Sequence, residues 1–210
     1  MPEPGYYDNE RPEVAALVPP AARTILDVGC GRGRLGQLLK TLNPERKVHG
    51  VELDTDVASA ARTVLDSVVS GDFQTMSLPF AEGTFDCVVF ADVLEHLIDP
   101  ASALRRIRSL LAPDGVIVCS IPNIRHYTVF LQLGLRGWEY RDFGLFDRTH
   151  LRFFSLRSMR ELLAEGGFQA VRAEPHIIAS KKAKIINVLC FGRLEEFLAQ
   201  QYILLAKPLT

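Results

Sequence analysis

The chain has 210 residues, 48% of them apolar and 23% charged, and a net charge of −1; this fits one globular domain over 1–210 and offers no field that would gather nucleic acid or an acidic membrane. No apolar run approaches the roughly 18 residues of a membrane span, and the start of the chain lacks the basic and apolar blocks of a signal peptide. The four cysteines (Cys30, Cys87, Cys119, Cys190) and five histidines show no metal-ligand spacing, so reduced thiols, a cytoplasmic location and no metal are expected.

Along the chain, short apolar runs alternate with helical patterns. Thr24–Val28, Val48–Leu53, Phe85–Ala91 and Gly115–Ile121 are β-branched, short and apolar on both faces, and they predict buried strands; Ser67–Gly71 is a weaker one. Arg34–Leu42, Asp56–Val64 and Pro100–Leu111 carry apolar residues at three-to-four spacing and predict helices, and Pro113-Asp114-Gly115 predicts a turn into the next strand. Strands alternating with helices call for a parallel sheet covered on both faces. Further on, a helix over Leu156–Glu165 precedes two strand candidates, Phe168–Pro175 and Tyr202–Lys207, consistent with a last strand that returns antiparallel. Residues 122–154 form a long insertion rich in aromatics, including Tyr127, Phe130, Trp138, Tyr140 and Phe143. It is expected to form a lid and wall around an organic acceptor, or else a satellite apolar cluster.

Between the first strand and first long helix runs Asp27-Val28-Gly29-Cys30-Gly31-Arg32-Gly33. The glycines let the backbone turn tightly and approach a ligand, and the helix starting near Arg34 points its positive end there. A glycine turn alone marks little more than a strand-to-helix turn. Three carboxylates at successive strand ends add to it: Asp27; Glu52, suited to ribose hydroxyls; and Asp72, placed for an adenine amino group with Phe73 against the ring. Asp27 also discriminates between cofactors. It would oppose the pyrophosphate that a dinucleotide sets on this helix end, whereas S-adenosylmethionine (SAM) offers an ammonium to Asp27 and a carboxylate to the loop amides. Arg34, where a dinucleotide fingerprint has glycine, points the same way.

With LDVGCGRG (26–33), VHGVELD (48–54), GDFQTMSLPFAEGTFDCVVFADVLEHLIDP (71–100) and LLAPDGVIVCSIPN (110–123) in this order, the chain resembles the class I SAM-dependent methyltransferases, in particular the small-molecule group that includes ubiquinone-biosynthesis enzymes. The resemblance implies a Rossmann-like three-layer α/β sandwich with a mostly parallel seven-stranded sheet and an antiparallel last strand. It implies that Asp27, Gly29 and Gly31 hold the methionine end and Glu52 the ribose. Asp72 and Phe73 would address the adenine, with Ala91 and Asp92 lining the site; Cys30 and Leu53 complete the cofactor set. FDRTHLRFFS (146–155) is similar to a segment of bacterial methyltransferases acting on sugars and cell-surface precursors. A base-methylating motif of the Asn/Asp-Pro-Pro-Tyr/Phe kind would stand where this chain reads Ala91-Asp92-Val93-Leu94. A small-molecule acceptor is therefore expected, with O-methylation favoured and monomer or homodimer left open.

The base, where the acceptor is a hydroxyl, is expected among three histidines: His150, oriented by Asp147; then His126, which with Tyr127 would look into the acceptor pocket; then His96, which follows Glu95 and is equally suited to ordering its loop. Tyr6, Tyr7 and Arg11 are placed to fold over the SAM mouth, although packing of a chain end is the simpler reading. Lys181, Lys182 and Lys184 before an apolar stretch to Leu198 form a candidate peripheral membrane contact, weaker than a helix packed on the sheet. The competing readings are an NAD-dependent oxidoreductase and a SAM-binding module without activity. In a thermal-shift comparison, SAM and S-adenosylhomocysteine are expected to raise the unfolding midpoint and NAD to leave it unchanged; stabilisation by NAD alone would favour the oxidoreductase.

Overall fold

The computed structural model describes residues 9–178, 187–188 and 192–209. Tyr6, Tyr7, the three lysines at 181, 182 and 184, and Cys190 lie outside them. Seven strands, β1 (Thr24–Val28), β2 (Lys47–Glu52), β3 (Ser67–Ser70), β4 (Phe85–Ala91), β5 (Leu111–Pro122), β6 (Phe168–His176) and β7 (Gln201–Pro208), form one sheet in the order β3-β2-β1-β4-β5-β7-β6. β1 to β5 pair in parallel, and β7 enters antiparallel between β5 and β6. The helices are α1 (Pro12–Ala15), α2 (Arg34–Leu42), α3 (Thr55–Ala61), α4 (Pro100–Ile107), α5 (Tyr127–Arg136), α6 (Leu156–Glu165) and α7 (Glu195–Leu198).

The two faces of the sheet read out as two separate cores. Along β4, Cys87 and Val89 pack with Val14 of α1, Leu35 and Leu39 of α2 and Ala61 of α3. The alternating Val88 and Phe90 pack with Leu104 and Ile107 of α4 and Met159 and Leu163 of α6. Successive strand residues point to opposite faces, so a strand apolar at every position is one covered on both sides. Local chemistry sets the helix starts. Asp54 caps α3 by accepting from the amides of Asp56 (2.9 Å) and Val57 (3.0 Å). Asp99 accepts from Ser102 N ahead of Pro100 in α4, and Ser155 with Ser158 closes a capping box on α6.

Several boundaries shift by a few residues, and two expected segments are built differently. The turn expected at Pro113-Asp114-Gly115 is an irregularity inside β5: Phe85 pairs with Leu111, yet Cys87 pairs with Val116, so the extra residues bulge without leaving the sheet. An added Cβ at Gly115 would stand 2.9 Å from the carbonyl oxygens of both Ala112 and Phe85, which explains the glycine. The insertion, expected as an extended loop, contains α5 and is closed by a bridge between Asn123 and Phe154.

The topology reverses between β1 and β4: from β1 the chain adds β2 and β3 on one side, then crosses back to add β4 on the other. Ligands in open α/β sheets gather where such strands diverge, beyond their carboxyl ends. Among the described residues, no helix is long and apolar enough to cross a membrane.

β7 seals the centre of this half of the sheet, and its side chains test the packing. Leu204 is fully buried, so Leu204→Ala is expected to lower the unfolding free energy by about 2–5 kcal/mol in urea titrations. Tyr202, equally buried, has a hydroxyl without a hydrogen-bond partner among the described residues. Tyr202→Phe should therefore unfold at the same or a higher urea concentration.

Candidate active site

A cleft of about 1710 Å³ opens at the carboxyl ends of β1, β2 and β4 and extends under the insertion. All ten expected cofactor residues line it: Asp27 from the end of β1 with Gly29, Cys30 and Gly31 from the loop after it, Glu52 and Leu53 at the end of β2, Asp72 and Phe73 after β3, and Ala91 and Asp92 at the end of β4.

The loop takes its shape from left-handed backbone at Gly29 (φ 73°), Gly31 (φ 54°) and Gly33 (φ 81°). At Gly29 an added Cβ would meet Val93 Cγ2 at 2.6 Å, so both conformation and space require glycine. Glu52 staples the loop to β2. Its Oε2 accepts from Gly31 N (2.8 Å) and its Oε1 from Asp54 N (3.1 Å). One expectation needs correction here. The amides of Gly29 and Cys30 donate to the carbonyl of Val51, that of Gly31 to Glu52 and that of Gly33 to the carbonyl of Cys30, so these loop amides turn inward and do not await an anion. A carboxylate at this mouth would instead meet the first turn of α2, which has no side-chain cap, and the Arg11 guanidinium in the cleft lining.

Asp27 carries the decisive electrostatics. It is 1% exposed, its Oδ1 has no hydrogen-bond partner among the described residues, and it lines the cleft. Burial first, then the nearby charge of Glu52, push its pKa up to about 7, with Arg11 acting against both. A buried carboxylate in this state is completed by a positively charged donor. The SAM ammonium is such a group, so the residues fit the cofactor. Asp72 is more committed: it accepts from Gln74 N at 2.8 Å and so shapes the turn after β3. Phe73 lies mostly in the core, edge-on to Phe90 at 5.7 Å, with the Arg106 guanidinium 5.3 Å from its ring centre. The Cys30 thiol is raised far above its usual range by burial and stays an unreactive wall.

The other half of the cleft is built by the 3-10 turn Leu94–His96 and by the insertion. The main-chain oxygen of Glu95 accepts from Leu151 N (2.9 Å) and Arg152 N (3.0 Å), which ties the two together. His96 and His150 meet edge-to-face with ring centres 4.7 Å apart, and both line the cleft. Asp147 does not orient His150 as expected: its Oδ1 accepts from Thr149 N (2.8 Å) and Thr149 Oγ1 (2.7 Å), and Thr149 in turn meets His96 Nδ1 at 3.1 Å. Burial, then the neighbouring His96, depress the His150 pKa to about 4 despite Asp147, and burial lowers that of His96 as well. Both imidazoles are thus neutral and weakly basic at neutral pH. His126 is 3% exposed, bonded to Thr128 Oγ1 at 2.7 Å at the start of α5, and neither it nor Tyr127 is among the cleft-lining residues. The wall facing the cleft comes from Leu131 and Leu135 of α5 with Phe143 and Phe146, whereas Trp138 packs against Phe146 and Phe153 in a side cluster and Phe130 and Tyr140 are exposed.

Arg11 and Glu95 hold more of the site than was expected of them. Arg11, expected either to fold over the SAM mouth or to pack as part of a chain end, lines the cleft; it is buried, adopts φ 51°, forms an ion pair with Asp92 and donates to Ser120 Oγ at 2.7 Å. Asp92 itself has φ 55°, a strained conformation outside glycine, and accepts from Ser120 Oγ at 2.5 Å. Glu95, read only as a companion to His96, is 1% exposed and lines the cleft with neither carboxyl oxygen partnered among the described residues.

A methyltransferase-domain family model matches residues 6–173. The chain belongs to this family. It is a class I SAM-dependent methyltransferase, and SAM is its cofactor. Over 115 residues this methyltransferase is 36% identical to the ubiquinone biosynthesis O-methyltransferase of Xanthomonas axonopodis pv. citri, covering 52% of this chain and 47% of that one. It is 29% identical over 189 residues to the mitochondrial arginine-hydroxylase NDUFAF5 of Rattus norvegicus, covering 83% of this chain and 52% of that one. The methyltransferase spans about half or less of the length of the curated relatives it matches. Its fold is similar to that of a SAM-dependent methyltransferase from Thermotoga maritima described as a possible histamine N-methyltransferase, with TM-score 0.68, 20% identity and coverage of 95% of this chain and 88% of that one.

Replacing the buried Asp27 carboxylate separates its two effects. Its raised pKa means that the stability it contributes is full below the unfolded carboxylate range and is lost as pH rises through about 7. Asp27→Asn is therefore expected to unfold at a higher temperature than the parent at pH 8 without ligand. Calorimetry should show its SAM affinity lowered by about 10- to 100-fold, the loss of one charged hydrogen bond.

Proposed function

We propose that this methyltransferase transfers the methyl group of SAM to a hydroxyl oxygen of a small organic acceptor. When bound, SAM supplies a methyl group already activated on a positively charged sulfur. What the chain must add is alignment, exclusion of water and a destination for the hydroxyl proton. The observation that carries the reading is the composition of the acceptor half of the cleft, where Glu95, His96 and His150 converge, their ligand atoms all within 4.8 Å of one another. Two neutral imidazoles accept hydrogen bonds, and a carboxyl without a partner from another described residue accepts a proton, which a hydroxyl needs and an already nucleophilic amine does not. Leu131, Leu135, Phe143 and Phe146 opposite them suit an acceptor with an apolar face.

The named O-methyltransferase relative supports the oxygen reading, and the likeness of FDRTHLRFFS, on this same wall, supports a sugar or cell-surface precursor as the acceptor class. Incubation with methyl-labelled SAM and a panel of dihydroxybenzoates, their diamino analogues and nucleotide-linked sugars tests it. Label on hydroxyl-bearing acceptors is expected. Label confined to the amines would overturn the oxygen assignment.

A further inference from the structure

The three histidines were the natural candidates for the base, yet the geometry assigns the role elsewhere. We propose that Glu95 is the general base of the transfer, accepting the proton of the acceptor hydroxyl while His96 and His150 orient that hydroxyl. This rests on the oxygen-methylation reading above and deepens it.

Glu95 sits in the wall of the cleft on the 3-10 turn that follows β4, held by its own main-chain oxygen to Leu151 and Arg152. Its main chain is fixed there, while no other described residue gives its carboxyl group a hydrogen-bond partner. Buried carboxyl groups almost always have hydrogen-bond partners, so an unpartnered one in a cleft marks a place completed by substrate. The groups around it come from every neighbouring element: Arg11 from the N-terminal segment, Cys119 from β5, His96 from its own turn, Asp147 and His150 from the insertion. Arg11, the one permanent cation among them, is already paired with Asp92 and with Glu13. Burial outweighs the hydrogen bond from its own main-chain amide and the attraction of Arg11, and holds the Glu95 pKa at about 8, with Asp147 adding repulsion. A base poised near the working pH is the efficient kind, whereas His150, depressed to about 4, has little appetite for a proton.

The step balances with groups already named. The acceptor O–H bond breaks and its proton passes to Glu95. The oxygen forms the bond to the methyl carbon, and the electron pair of the broken C–S bond stays on sulfur, which leaves as a neutral thioether. Release of the proton from Glu95 to water resets the site.

Two measurements on the full chain test the assignment. In the first, 3,4-dihydroxybenzoate and 3,4-diaminobenzoate serve as probes of equal shape, of which only the hydroxyl needs a base. Glu95→Gln, which mimics the protonated carboxyl in size, is expected to lower kcat on the hydroxyl probe by about 100- to 1000-fold. It should spare the amine probe, leave SAM affinity unchanged and abolish the rise of parent activity with pH through about 8. Parent turnover of the hydroxyl with an unaffected variant would overturn the proposal and leave oxygen methylation standing; parent turnover of the amine alone would overturn oxygen methylation itself. Activity lost on chelation and restored by a divalent cation would also overturn it, because the carboxyl would then hold an ion. The second measurement needs no acceptor. Without ligand, the unfolding midpoint of the parent should fall as pH rises from about 6.5 to 8, above the range in which the depressed histidines make it rise, and Glu95→Gln should lessen this fall. Equal slopes in the two proteins would overturn the proposal whatever the first measurement shows.

Discussion

The site is organised around a carboxylate that the described residues leave unsatisfied. Asp27 lies one residue before the end of β1, where the strands diverge, and its Oδ1 is buried without a partner among the described residues. The surrounding structure keeps it so. Glu52, which could have relieved nothing by its own charge, is turned to the amides of Gly31 and Asp54. Arg11, which could have neutralised Asp27, is drawn instead to Asp92 and Ser120. The cleft thus holds an electrostatic demand that a cationic ligand meets, and the free protein bears the cost of that demand in stability.

The same design recurs across the cleft. Glu95 is buried and unpartnered as Asp27 is, but it faces two imidazoles rather than a glycine loop. In the proposed reading one carboxylate addresses the cofactor end and the other the acceptor end, and Asp92, with its left-handed backbone, lies between them in sequence. Strained backbone and orphaned carboxyl oxygens gather here, while the cores on either side of the sheet hold one orphaned group among the described residues, the Tyr202 hydroxyl.

Much of the scaffold was legible from residues alone. Strands such as Thr24–Val28 and Phe85–Ala91 are apolar at nearly every position, a pattern that only burial on both faces explains, and their boundaries agree with the structure. The cofactor half was legible for a related reason: Asp27, Glu52 and Asp72 each stand at or just past the carboxyl end of a strand, so locating the strands brings the carboxylates together at one edge. The acceptor half resisted. His150 and His126 are both histidines of the insertion, yet one lines the cleft and the other is folded under α5, a distinction made by helix packing and absent from spacing. Glu95 stood out less because its carboxyl makes no hydrogen bond to another described residue, and the partners of Arg11 were not legible because they are 81 and 109 residues away.

The position of β7 has a consequence for how the molecule comes into being. β6 pairs only with β7, and β5 presents an open edge to solvent until β7 arrives between them. On a chain emerging from the ribosome, five parallel strands can assemble while β6 waits with no neighbour. The sheet becomes continuous only when residues 201–208 are threaded into the gap. An unpaired edge is also a template for other chains. The interval before that closure is thus when the protein is most exposed to misassociation, and its vulnerability is one of timing, since the finished fold buries the evidence.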